Sequence, residues 1–174
     1  MTLRHRVSAP AGAVGEVFDR LGSQAWALAV WTLGDEKRAA EVVVAAFKLP
    51  AFMPSGARVD DASLLCFVRR EAVEVARSTP QTPARHAQRR PDVDTDALSV
   101  PDVIALLPEA QREVIELTTL GRLSATAIAG PTGLPRGEVI GLLAAAMRTM
   151  RTMLSGDEAR SLGRGGASAR PTAD

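Results

Sequence analysis

Tyrosine is absent from the 174 residues, and aromatics reach only 3%: Trp26, Trp31 and four Phe. β-Sandwiches and barrels draw on bulky aromatic and β-branched pairs, so a chain this poor in them suits helices better. The single cysteine, Cys66, excludes a disulfide framework and a cysteine-cage metal site. His5 and His86 lie far apart with no carboxylates gathered round either, so neither a metal nor a cofactor is expected. The longest unbroken apolar run, Val139 to Met147, is about half of the roughly 18 residues a membrane span requires. From Met1 to Ala25 no apolar core precedes a cleavage site, and the expected location is the cytoplasm. Catalytic signatures are missing too. No Gly-rich phosphate loop follows a strand, and no nucleophile stands beside a base, so an enzyme is not expected.

What remains is rich in Ala, Val and Leu, with nineteen Arg against two Lys. The apolar positions recur at helical spacing, and the expected fold is all-α. Val14, Val17, Phe18, Leu21, Ala25, Leu28 and Ala29 predict helix from Ala13 to Gly34, broken or bent at Gly22-Ser23. Gly34-Asp35 pairs a left-handed stop with an N-cap, and a second helix runs from Glu36 to Leu49 before Pro50. Asp60-Asp61 opens a third, reaching Arg77. These make a first helical domain over 13–77. Residues 78–96, with three prolines and no periodicity, read as a flexible linker. A second domain, 97–154, holds four helices: Val100–Leu107, Glu109–Leu120, Ser124–Gly130 and Gly137–Leu154. The Gly-, Ser- and Arg-rich end, 155–174, is expected to be disordered.

Within the second domain, Ser124 caps a short helix, and the turn Gly133-Leu134-Pro135 leads into a longer one. A helix pair joined in this way is helix-turn-helix architecture, whose second helix is placed to enter a major groove. The motif Leu107-Pro108, Arg112-Glu113-Val114, Leu117, Leu123-Ser124, Ile128-Ala129, Gly133-Leu134-Pro135, Gly137 and Val139 resembles region 4 of the sigma-70-family transcription initiation factors. The short extracytoplasmic-function group is the nearest in kind. Gly34-Asp35, Ala39, Glu41 and Phe47 resemble that family's region 2 at matching spacing. The resemblance implies a chain that acts in transcription initiation, meeting RNA polymerase core through 13–77 and promoter DNA through 124–151. Ser124, Arg136, Glu138, Arg148 and Arg151 then fall at the DNA. Asp35, Glu41, Val44, Ala45 and Phe47 fall at the polymerase.

The departures from the family pattern bear on mechanism. Where the family carries basic and polar residues on the long helix, this chain has Ile140, Gly141, Leu142, Ala144 and Ala145. Between Leu98 and Leu154 five Arg balance four Glu and one Asp, so this half is neutral overall. Duplex affinity rests on phosphate neutralisation, and promoter grip is therefore expected to be weakened. Two apolar stripes run along the helix. Val139, Leu142, Leu143, Ala146, Met150 and Met153 make the first and belong to the core. Ile140, Ala144 and Met147 make the second. It either packs on the N-terminal half, docks a second copy, an anti-sigma protein or another regulator, or meets DNA. The alternative function is accordingly a sigma-like interaction module that no longer binds DNA. In the region 2-like half the polymerase-facing pair falls on Val44 and Ala45, and Val42 to Phe47 reads as a buried core helix. Phe67, Arg69, Arg70 and Arg77 occupy the stretch where the family melts promoters. Phe67 and Cys66 read as core, and Glu109, Glu113 and Glu116, spaced at four and three, as the outside of one helix.

Overall fold

A computed structural model describes residues 11–49, 60–78 and 99–165, with side chains from 14 to 155 within those ranges. Among the described residues every regular element is helical. The candidate linker, apart from Ser78, lies outside them, as do His5 and His86.

Helix α1 (Ala11–Leu33) runs without interruption. A lone glycine costs a helix only about 1 kcal/mol. Here the Phe18 ring covers Gly22, 3.2 Å from where a Cβ would stand. Val17, Leu21, Ala25 and Leu28, one side of the helix, are buried, and the anticipated break at Gly22-Ser23 does not occur. Gly34 ends the helix in the left-handed region at φ 63°, donating its N–H to the Val30 carbonyl at 2.8 Å. The Asp35 carboxylate then accepts the Arg38 N–H at 3.0 Å and starts α2 (Glu36–Phe47). Helix α3 (Asp61–Ser78) lies across both, buried through Leu64, Leu65, Val68 and Ala72. Arg20 of α1 forks onto Asp61 at 2.6 and 3.1 Å, and Phe18 meets Phe47 edge to face with centroids 5.3 Å apart.

After the undescribed stretch, Ser99 and Asp102 form a reciprocal cap on α4 (Val100–Leu106). Helix α5 (Glu109–Thr119) follows Pro108 and ends at Gly121. Gly121 is required there because a Cβ would sit 2.6 Å from the Leu117 carbonyl oxygen. The Ser124 hydroxyl accepts the Ala127 N–H at 3.2 Å to cap α6 (Ala125–Thr132), and Gly133, φ 71°, turns the chain into α7 (Arg136–Gly165). This last helix continues to Gly165 where the sequence suggested a stop at Leu154 and a disordered tail from Ser155.

The two halves meet directly. Val114, Leu117, Ile128 and Val139 are buried in the same apolar core as the residues of α1, α2 and α3. A smaller cluster of Ile104, Leu107, Ile115 and Ala146 has Trp31 of α1 packed against it.

Candidate functional site

Arg69, on α3, lies where the halves join and is 4% exposed. A buried guanidinium is tolerated only if its charge is met. Its Nε donates to Glu116 at 2.9 Å and its Nη2 to Glu109 at 2.7 Å, while Nη1 stands 3.7 Å from Glu113. The Trp31 indole N–H donates to the other oxygen of Glu116 at 3.1 Å, adding α1 to the junction. Of the triad Glu109, Glu113 and Glu116, read as the outside of one helix, Glu109 is exposed and Glu113 half-exposed, whereas Glu116 is buried because α3 brings a cation to it. Burial works against the charge on Arg69, but Glu116, Glu109 and Glu113 together outweigh it and hold the proton more firmly. Burial pushes the Glu116 carboxyl upward against the pull of Arg69 and Trp31. Glu109 also loses solvent, yet Arg69 holds it below the ordinary value. A cleft of about 370 Å³ opens beside the cluster between Trp31, Val73, Pro101 and Ala105, so solvent protons have a route to it.

This junction changes the electrostatics of α7. The neutral sum over the second half hides a separation of charge. Three of its acids are committed to Arg69, and Asp102 to the α4 cap. Arg112 stands with them, 3.7 Å from Glu109, while three of the remaining cations lie on α7. At 100° per residue, Arg136, Ile140, Ala144, Met147, Arg148 and Arg151 fall within an arc of about 120° on α7. All six are exposed, with Ile140 at 45% and Met147 at 55%. None of the three arginines has an ion pair among the described residues. The second apolar stripe thus does not pack on the N-terminal half, and it shares its face with cations. Glu138 stands about 160° from Ile140 around the helix, away from this face. Its first-turn position suits the dipole of the helix N-terminus instead. The Ser124 hydroxyl is engaged as a cap, and its side chain is exposed. Opposite the outer face, Val139 and Ala146 are fully buried with Leu142 and Leu143 packed beside them, as the first stripe predicts.

On α2 the expectation of a helix buried from Val42 to Phe47 holds for only part of the turn. Val42, Val43, Ala46 and Phe47 are buried, while Glu41, Val44 and Ala45 are exposed, Val44 at 47%. Phe47, expected beside them at a partner surface, faces the core. Asp35 is an N-cap whose carboxyl is held low by the Arg38 N–H it accepts. On α3, Phe67 is half-buried with the Arg70 guanidinium 5.5 Å above its ring. Cys66 is buried, and loss of solvent together with the nearby Glu113 pushes its thiol to about 12, which leaves it unreactive. Sequence reasoning missed the Arg69 junction, whose partners lie 40 and 47 positions away. The local pattern held one clue, an Arg two turns inside an otherwise apolar helix face.

Among the described residues no group of His, Cys, Asp and Glu is placed to hold a metal ion, and no helix is long and apolar enough to cross a membrane. Compared with known proteins, the sequence matches no protein-family model and no curated protein.

Proposed function

We propose that the chain is a sigma-factor-like transcription regulator, acting in transcription initiation with RNA polymerase core and duplex DNA. In this reading α6 and α7 are a helix-turn-helix pair, with α7 as the groove-reading helix. The exposed Glu41, Val44 and Ala45 of α2 are the polymerase contact. The observation that carries the reading is the outer face of α7, where Arg136, Arg148 and Arg151 stand exposed and free of ion pairs among the described residues. Unpaired cations on a convex helix suit an anionic partner, and phosphate is the one that this architecture is shaped to meet. The neutral total of the half, which argued for weak grip, loses force once its acids are turned to Arg69.

Duplex binding measured against salt tests the proposal. Three phosphate contacts give a log–log slope of about −3. Each of Arg136→Ala, Arg148→Ala and Arg151→Ala makes that slope shallower by about 1. A flat salt response with no capture of polymerase core overturns the reading. A second reading, a protein-interaction module, is favoured by the exposed Ile140 and Met147. It predicts a dimer or complex in sedimentation and no polymerase capture.

A further inference from the structure

Resting on that reading, we infer that α7 recognises thymine methyl groups in the major groove and takes its specificity from apolar contact in place of hydrogen bonds. The cations occupy the two ends of the outer face, Arg136 at one and Arg148 and Arg151 at the other, about 18 and 22 Å away along the helix. Between them the face presents Met147, Ile140, Ala144 and Gly137, with Gly141 just beyond its edge, and none of these carries a side-chain hydrogen-bond donor or acceptor. A helix held in a groove by its ends puts its middle against the base edges. A middle of this composition has nothing to offer guanine, cytosine or adenine, whose major-groove edges carry only donors and acceptors. The one apolar feature there is the C5-methyl of thymine.

A second observation points the same way. A Cβ added at Gly137 or Gly141 meets nothing within 4 Å, and neither glycine has positive φ. Nothing in the chain's own packing requires them. Gly141, inside the helix, is a poorer helix former than alanine, and Gly137 occupies the first turn. Bare backbone on an exposed face is useful to something that approaches closely from outside. Together with Ala144, the glycines let α7 lie deep enough for Ile140 to reach a methyl group.

The experiment uses the full chain and fluorescence anisotropy at low salt with four short duplexes: alternating dA·dT, the same with deoxyuridine for every thymidine, alternating dG·dC, and the last with its cytosines C5-methylated. Removing the thymine methyls is expected to weaken binding by about fourfold for each methyl lost from the contact. Methylating cytosine, which places the same group in the same groove, is expected to strengthen it. Ile140→Ser should erase both differences, and Arg148→Ala should weaken all four duplexes alike. Gly141→Leu should raise the melting temperature while reducing affinity for the dA·dT duplex. Helical circular dichroism confirms that each variant is folded. Equal affinity for the thymine and uracil duplexes overturns the methyl inference but leaves duplex binding standing. Absence of binding to any duplex overturns both, and a dimer in sedimentation then assigns the face to protein.

Discussion

Arg69 holds a single positive charge among three carboxylates, so removing it does more than break one pair. Arg69→Ala leaves the buried Glu116 without its hydrogen-bonded cation, and a loss of about 3–5 kcal/mol is expected in urea unfolding. Arg69→Lys should recover little, because an ammonium cannot fork onto Glu109 and Glu116 together. Glu116 behaves differently, since the guanidinium keeps Glu109 and Glu113 when it is neutralised. Glu116→Gln should stay within about 1 kcal/mol of the parent at neutral pH. None of this was legible beforehand. Glu109, Glu113 and Glu116 fit the outside of one helix by local spacing, and Arg69 is read only as part of the stretch that resembles the promoter-melting segment. Only the meeting of α5 with α3 buries Glu116 against Arg69 and draws the more exposed Glu109 and Glu113 toward the same cation. Cys66, by contrast, reads from sequence as a small buried hydrophobe beside Phe67 with no second thiol, and it is buried.

Single helices were the most legible level. Period and caps placed α2, α3, α5 and α6 to within a few residues, because Asp35 and Ser124 act locally as N-caps. The continuation of α1 through Gly22 depended on the Phe18 ring and on burial, which a propensity argument does not contain. On α7 spacing gives two apolar stripes and assigns the first to the core, but what the second meets depends on where the N-terminal half lies. Two outcomes test the element-level account. Ser124→Ala should destabilise by about 1 kcal/mol, while Ser124→Asp keeps the cap and, in the proposed DNA-binding role, weakens duplex binding by repelling phosphate. Gly141→Ala should stabilise by up to about 1 kcal/mol in thermal melts and Gly137→Ala, in the first turn, by less, since open space surrounds both positions.

Over the whole molecule, the shared core predicts one cooperative unfolding event, with fluorescence of the tryptophans and helical dichroism losing signal together. Arg69→Ala should separate the two probes. The junction also sets the pH response. Glu116 is raised in the folded state, so its stabilising proton is fully present below the unfolded glutamate value of about 4.3 and is lost as pH rises through the folded value. Glu109 is lowered, so its contribution is present above the unfolded value and lost as pH falls through the folded one. Melting temperature should therefore climb as pH drops from neutral, peak on the acid side, and decline below the carboxylate range. Glu116→Gln should flatten the neutral limb alone. The resemblance suggested two bodies on a tether, and it carried no information about the seam between them, which is specific to these side chains.

Trp31 sits on that seam, its indole tied to a glutamate 85 positions along the chain. It is thus a built-in optical gauge of the seam: with Trp26 replaced by Phe, the remaining emission should redden if the halves separate, so any such separation can be read in real time from an unlabelled sample.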